Sequence, residues 1–199
     1  MAQSFLPGEE FCTWAMAING RLQALQSYRP LYRAGLGAAV AIEPAQDEAI
    51  SDFVVRFVAE TGWSGQVSFD FCRDEDGMMR AIECNPRATS GLHFFTSGDG
   101  LPDALAGNAV ATASSSVRYT LPLAMFFYGL PYALRHAGLR QWADDARDMH
   151  DLTQWPGDRD MHIPQLVALA EIALLALRGS KSLKAASTDD IEWNGEELA

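Results

Sequence analysis

The sequence predicts an α+β fold: an antiparallel sheet with flanking helices, followed by a mainly helical extension. Two observations predict the sheet, because Asn19-Gly20 and Asp76-Gly77 are strong hairpin-turn signals and each lies between two apolar runs. A third observation predicts a helix between the two hairpins, since apolar side chains recur there at helical spacing.

The first hairpin is predicted from the run EEFCTWAMAINGRLQALQSY, in which two extended segments flank the Asn-Gly turn. The helix that follows ends at Gly62, because glycine commonly ends helices. Five apolar side chains share one face of this helix and are expected to face the core: Ile50, Phe53, Val54, Phe57 and Val58.

The character of the chain changes after the second hairpin, and we divide it there into residues 1–97 and 98–199. Residues 101–111 and 139–149 are predicted to be helical. Residues 164–178 begin with proline, which is favoured at the first position of a helix, and are apolar nearly all round. Such a helix is expected to be buried, either within this chain or against another.

Composition excludes several classes of protein. With 48% hydrophobic and 21% charged residues, the chain has the composition of a soluble globular protein. Its net charge of −11 would repel phosphate backbones, so no nucleic-acid partner is expected. Three cysteines without zinc spacing favour a reducing, cytoplasmic compartment. No apolar stretch is long enough to span a membrane, which leaves small molecules and metal ions as candidate ligands.

The second hairpin brings polar side chains together. If Asp76-Gly77 is a two-residue loop, Asp70 lies opposite Glu83, and Asn85 shares their face because side chains alternate along a strand. A four-residue loop would keep the same faces, whereas a three-residue loop would not. The same pairing sends Cys72 and Cys84 to opposite faces, so a disulfide is disfavoured and both are expected to pack.

Two directly opposed carboxylates repel each other. They need a cation, a shared proton or an arginine between them. Carboxylate and amide oxygens suit Mg²⁺ or Mn²⁺, and Mg²⁺ is usually held by one or two carboxylates together with substrate phosphates. The pattern therefore favours a metal–nucleotide site. The alternatives are a solvated strand face and a structural Ca²⁺ site, in which Arg87 would have no role.

Two motifs resemble a known family. SFDF followed by IECNPRATSG resembles the metal-binding hairpin of the ATP-grasp superfamily, and QSFLPGEEF resembles that superfamily's hinge strand. The resemblance covers roughly residues 2–97 and implies the C-terminal part of an ATP-grasp module. It implies that Asp70, Glu83 and Asn85 hold Mg²⁺ ions that bridge the ATP phosphates. Arg87 would stabilise the transferring phosphoryl group.

The resemblance also implies where the nucleotide and the substrate bind. Glu10 would bind the ribose, the backbone of Gln3, Phe5 and Leu6 would follow the adenine, and the substrate would lie near Thr89, Ser90 and Gly91. Arg29 and Arg33 are expected to form a solvated loop pair, with contact to phosphate or substrate as the alternative. His93, beside two phenylalanines, is expected to pack.

The implied reaction is an ATP- and Mg²⁺-dependent ligation of a carboxylate to an amine through an acyl-phosphate. Family members also use a glycine-rich lid and usually two lysines, whereas this sequence has only Lys181 and Lys184, far from the motifs. The lid is therefore expected from a preceding segment of a longer native chain or from a separate subunit, and the chain is expected to be inactive without it. The alternative is a non-catalytic metal- or nucleotide-binding protein. A homodimer is a further expectation.

Overall fold

The structure is a computed structural model, and it describes residues 6–34, 38–136, 138–154 and 162–188. Contacts divide the chain into two compact units, Met1–Leu152 and Thr153–Ala199. The boundary at residue 97, drawn from a change in sequence character and from the extent of the resemblance, stays a prediction.

The elements of the described residues are as follows. The strands are β1 (Glu9–Ile18), β2 (Arg21–Arg33), β3 (Ala39–Ala45), β4 (Gly65–Arg73), β5 (Met79–Asn85), β6 (Ala111–Thr112), β7 (Tyr119–Thr120) and β8 (His150–Asp151). The helices of the first unit are α1 (Glu48–Thr61), α2 (Leu101–Leu105), α3 (Pro122–Ala124), α4 (Leu130–Arg135) and α5 (Leu139–Asp148). A 3₁₀ turn spans Ser90–Phe94 and a π-helical turn spans Met125–Gly129. The second unit contains α6 (His162–Gly179) and α7 (Leu183–Thr188).

One sheet contains all of these strands, in the order β5-β4-β1-β2-β3-β7-β8, with β6 also paired to β2. The long strands pair antiparallel, but β6 runs parallel to β2 and β7 parallel to β8. The α+β class is confirmed, whereas the sheet is mixed rather than antiparallel throughout. The parallel pairs involve two-residue strands, which are too short to show alternation in the sequence.

The first hairpin and its helix form as predicted. Asn19 and Gly20 have positive φ angles of 49° and 75°, and Ile18 pairs with Arg21 across this two-residue turn. The side chain of Asp47 accepts a hydrogen bond from the Ile50 amide at 3.1 Å and so begins α1. Gly62, with φ of 64°, ends the helix in the left-handed conformation.

The main core lies between α1 and one face of the sheet. The apolar face of α1 packs on side chains of β1 and β4, and its three most buried residues lie at helical spacing. The buried members of this cluster are Phe11, Ala15, Ala17, Ile50, Val54, Val58, Val67, Phe69 and Phe71.

The second hairpin differs from the prediction in its turn. The Asp74 amide donates to the Met78 carbonyl at 3.0 Å, which leaves a three-residue loop, and Gly77 has φ of 78°. A loop of this length would by itself put Glu83 on the wrong face. A bulge at Ile82 corrects the pairing, because Phe71 pairs with Ala81 whereas Asp70 pairs with Glu83.

The later segments agree in part with their predictions. The helix predicted over 139–149 is confirmed as α5, and α6 contains the helix predicted over 164–178. The helix predicted over 101–111 is wrong beyond residue 105, where the chain turns and Gly107 has φ of 79°. Within the described residues, no helix combines the length and the apolarity that a bilayer crossing requires.

A proline shapes the helical segment formed by α3, the π-helical turn and α4. Pro131 has no amide hydrogen to donate within this helix. The turn just before it is π-helical, with the Leu130 amide donating to the Met125 carbonyl. The Trp142 indole of α5 donates to the same carbonyl at 3.2 Å. The segment packs against the sheet, where Met125 and Ala133 are buried in one cluster with Tyr32.

Candidate functional site

The paired carboxylates lie on the face of the sheet opposite α1. Asp70 of β4 pairs with Glu83 of β5, and Ser68 pairs with Asn85, which confirms the predicted pairing. Residues directly opposed in this way have β-carbons about 4.5–5.5 Å apart. Asp70 is half-buried and Glu83 is exposed, because β5 is the edge strand of the sheet.

A cavity of about 420 Å³ lies over this pair, and we call it the phosphoryl cavity after the role that the sequence resemblance implies for its residues. It brings together six of the predicted site residues: Asp70, Glu83, Asn85, Arg87, Thr89 and Ser90. Gly91 does not line it. This glycine is buried, and a β-carbon there would lie 2.7 Å from the Cβ of Trp14, so its small size serves packing.

Two residues that the sequence analysis did not identify complete the floor of the phosphoryl cavity. Cys12 of β1 pairs with both Asp70 and Tyr28, so the three side chains form a row across three strands. The pKa of the Cys12 thiol is raised mainly by burial, and the charge of Asp70 and a hydrogen bond with it raise this pKa further. Burial also raises the pKa of Tyr28. Both groups are therefore neutral beside Asp70, and a bulge at Gln23 of β2 hides the alignment of Cys12 with Tyr28 in the sequence.

Hydrogen bonds fix the loop after β5. The Ser68 hydroxyl donates to the Arg87 carbonyl at 2.9 Å and lies 3.0 Å from the Thr89 hydroxyl. The Thr89 hydroxyl donates to the Thr13 carbonyl at 3.1 Å. The Arg87 guanidinium donates to the Ala88 carbonyl at 3.2 Å. Thr89 thus anchors the loop to β1, and the anchored loop carries Arg87 to the cavity.

The donor set fits a hard divalent cation. The Asn85 amide nitrogen lies 3.5 Å from Asp70 Oδ2, and half a rotation of the amide would present its oxygen instead. Within residues 6–34, 38–136, 138–154 and 162–188, no group of three or more His, Cys, Asp or Glu side chains could hold a metal. Two carboxylates and one amide fit Mg²⁺, which takes its remaining ligands from water and phosphate.

The residues predicted along the nucleotide are placed only in part. Gln3 and Phe5 lie outside the described residues. The Leu6 carbonyl accepts a hydrogen bond from the Cys72 thiol at 3.5 Å. Glu10 forms an ion pair with Arg33. Leu6 and Glu10 do not line the phosphoryl cavity, whereas Arg33 does.

Other expectations are corrected. Arg29 and Arg33 belong to β2 rather than to a loop, and Arg29 is paired with Glu9 and, at 2.8 Å, with Glu43. All three cysteines are free, as expected for Cys72 and Cys84. Cys72 is buried as predicted, but Cys84 is exposed, because an edge strand leaves its face uncovered.

His93 is half-buried beside the core phenylalanines. Its burial lowers the pKa of the imidazole. The sequence predicted such packing from the two adjacent phenylalanines, one of which, Phe94, is fully buried.

Comparison with known proteins gives partial structural matches. No protein-family model and no curated protein matches the chain. The phosphoribosylaminoimidazole carboxylase ATPase subunit from Aquifex aeolicus is 12% identical with a TM-score of 0.43, over 55% of this chain and 36% of that one. N5-carboxyaminoimidazole synthetase from Staphylococcus aureus complexed with ADP is 12% identical with a TM-score of 0.44, over 67% and 40%. L-amino acid ligase from Bacillus licheniformis is 22% identical with a TM-score of 0.36, over 44% and 23%.

The chain therefore spans less than half the length of each of these structures. At identities of 12–22% and TM-scores of 0.36–0.44, these similarities assign no function to the chain. The names of the matched structures describe a carboxylase ATPase subunit, a synthetase and an amino acid ligase.

Proposed function

We propose that the chain carries the metal- and nucleotide-binding part of an ATP- and Mg²⁺-dependent ligase. The reaction joins a carboxylate to an amine or similar nucleophile through an acyl-phosphate. One observation carries the proposal: Asp70, Glu83, Asn85 and Arg87 line a single cavity on the face of the sheet opposite the core.

The charges of this cavity favour a cation with a phosphate. Asp70 and Glu83 face each other across two strands, an arrangement that costs stability unless a positive charge lies between them. A bound Mg²⁺ would neutralise charge on the phosphate oxygens during transfer. The chain carries a net charge of −11, so a nucleotide polyphosphate needs such local positive charge to bind.

Arg87 is the group we propose to contact the transferring phosphoryl oxygens. Its side chain is exposed at the cavity, and the described structure gives it one hydrogen bond, to the Ala88 carbonyl. A guanidinium has five N–H donors, so the others remain for phosphoryl oxygens. The anchoring of the loop through Ser68 and Thr89 sets where this charge lies.

The nucleotide's other end is proposed to follow β1 and the segment before it, with Glu10 on the ribose and the backbone near Leu6 along the adenine. Glu10 would then exchange its ion pair with Arg33 for the ribose hydroxyls. Arg33 lines the phosphoryl cavity. After that exchange, its positive charge would no longer be neutralised by Glu10 and could act on the phosphates. Mn²⁺ in place of Mg²⁺ remains part of the proposal.

Turnover is proposed to need a lid from outside these residues, supplied by the same native chain or by another subunit. The only lysines of the sequence are Lys181 and Lys184, which lie in the second unit. The same observation favours a second candidate, a non-catalytic binding protein that keeps the metal site. A cytoplasmic location and a homodimer are further proposals.

Calorimetric titration of Mg-ATP into the purified chain tests the site. Glu83→Gln should weaken binding by about tenfold or more, because loss of even an outer partner of a metal ligand costs about 10–100-fold in affinity. Glu75→Gln removes the same charge from the exposed tip of the same hairpin and should bind like the parent. Equal binding by Glu83→Gln and Glu75→Gln would contradict the metal assignment.

A second measurement separates ligase from binding protein. With a lid polypeptide supplied, hydroxylamine should trap the acyl group as a hydroxamate when ATP and a carboxylate are present. Arg87→Ala should lose this product by about 10³-fold or more while keeping most Mg-ATP binding, since the residue acts on the transferring group. Binding without any product in the complemented parent would support the non-catalytic alternative.

A further inference from the structure

A second cavity of about 300 Å³ lies beside the π-helical turn, and we call it the aromatic pocket. Its walls carry three aromatic rings and three nitrogen-bearing side chains: Phe127, Tyr128, Tyr132, Arg33, Arg135 and His136. All of these residues belong to the first unit. No role was predicted from the sequence for any of them except Arg33. We infer that this pocket binds the carboxylate substrate, and that this substrate carries a planar aromatic ring. The inference rests on the proposed ligase function.

The charge of the aromatic pocket favours an anion. No carboxylate is among the residues that line it, although the chain has 26 acidic and 15 basic residues. Arg33 is already paired with Glu10, so Arg135 supplies the main charge for a ligand. Its planar guanidinium can hold a carboxylate through two parallel hydrogen bonds.

The rings of the aromatic pocket favour a planar ligand. Phe127, Tyr128 and Tyr132 remain 50%, 41% and 43% exposed although they line one pocket, and clustered exposed apolar side chains of this kind mark binding sites. The Tyr132 ring contacts two other rings, with centroid distances of 5.8 Å to Tyr32 and 4.7 Å to His136. A ring already fixed in this way loses little freedom when a ligand stacks on it.

The backbone supports a binding role. The π-helical turn Met125–Gly129 contributes Phe127 and Tyr128 to the pocket. Single π-helical turns within α-helices occur frequently at functional sites. The turn is stabilised by the Trp142 indole, which donates to the Met125 carbonyl, so the rings start from a fixed backbone.

The position of the pocket connects it to the chemistry. Arg33 lines both the aromatic pocket and the phosphoryl cavity, so the two cavities share a wall. A carboxylate held by Arg135 would lie across this shared wall from the place proposed for the γ-phosphate. A volume of about 300 Å³ is at the lower end for ligand sites, which limits the substrate to a small molecule with one ring.

Binding of 3-phenylpropanoate, followed by ligand-observed NMR, tests the inference, with 3-phenylpropanamide as its neutral counterpart. We expect the parent chain to bind the acid about tenfold more tightly than the amide, as the loss of a charged hydrogen bond implies. Arg135→Gln should remove that preference, and Phe127→Ala should weaken both ligands. Arg140→Gln, which removes an exposed arginine of α5 outside the pocket, should bind like the parent.

Three results would overturn the inference: no binding of the acid by the parent, equal binding of acid and amide, or identical behaviour of Arg135→Gln and Arg140→Gln. Circular dichroism of each variant shows whether it folds, and all three altered side chains are exposed. Mg-ATP calorimetry on the same samples separates the two proposals. Mg-ATP binding without acid binding would contradict this inference alone, whereas acid binding without Mg-ATP binding would leave an anion pocket and contradict the proposed nucleotide site.

Discussion

The two faces of β4 differ in polarity and in burial, although alternate residues of the same strand form them. Val67, Phe69 and Phe71 point to α1 and are at most 2% exposed. Ser68 and Asp70, one residue away from each, point to the phosphoryl cavity or to its supporting loop. One face therefore provides stability and the other provides the candidate chemistry, and the separation between them is a single residue step.

The core face is built from aromatic rings in edge-to-face contact. The Phe53 ring lies 5.3 Å from both Phe69 and Phe71, and the Phe57 ring lies 4.9 Å from Phe69. Such arrangements stabilise beyond the burial of area alone. On the cavity face, by contrast, the carboxylates of Asp70 and Glu83 lie opposite each other. Their repulsion lowers the stability of the fold until a cation binds.

The largest predicted effect is a loss of stability from a substitution on the core face. Phe69→Ala should lower the free energy of unfolding by about 3–5 kcal/mol, because it removes a buried ring and leaves a cavity. Urea denaturation measures this loss. Phe127→Ala is the matched control, since that ring is 50% exposed and should cost far less. Similar losses for the two variants would contradict the contrast between core and surface.

A smaller loss of stability is predicted for a substitution of Gly91, which was predicted to lie near the substrate but is buried. In Gly91→Ala the new β-carbon would lie 2.7 Å from the Trp14 Cβ and 3.0 Å from the Gln26 carbonyl oxygen. Overpacking of this kind typically costs about 1–3 kcal/mol.

Thermal and urea unfolding of Gly91→Ala measure that cost. Gly98→Ala is the control, because its nearest contact would be the Thr96 hydroxyl at 3.9 Å. If Gly91→Ala were as stable as Gly98→Ala, Gly91 would have no packing role, and its predicted contact with substrate would regain support.

The smallest predicted effect has the opposite sign. Without metal, Glu83→Gln should raise the free energy of unfolding by about 0.2–1 kcal/mol, because it removes a like charge directly opposite Asp70. Urea unfolding in EDTA gives the value, with Glu75→Gln at the hairpin tip as the matched loss of charge. A destabilised Glu83→Gln would mean that the two carboxylates do not repel each other across the strands.

The features set by neighbouring residues were predictable from the sequence. The Asn19-Gly20 turn, the apolar face of α1 and the Gly62 end are each set by residues within a few positions of one another. The pairing of Asp70 with Glu83 was also predicted correctly, although the hairpin departs from the predicted one in two ways whose effects on the register cancel. The loop has three residues rather than two, and the bulge at Ile82 restores the register.

The features formed by distant segments were not predictable from the sequence. Cys12 and Tyr28 reach the phosphoryl cavity only through strand pairing across a bulge, and β6, β7 and β8 join the sheet as two-residue strands with no periodicity. The aromatic pocket joins Arg33 of β2 to the helical segment, about a hundred residues later in the chain. No local pattern encodes such a meeting.

The sequence by itself determined the hairpins, the amphipathic helix and the oxygen-ligand motif with Arg87, because turn geometry and side-chain alternation act over short stretches. Tertiary structure alone decided that Gly91 is buried, that Glu10 pairs with Arg33, and that two cavities share Arg33 as a wall. Those outcomes depend on burial and on contacts between segments remote in sequence, which exist only once the sheet has assembled.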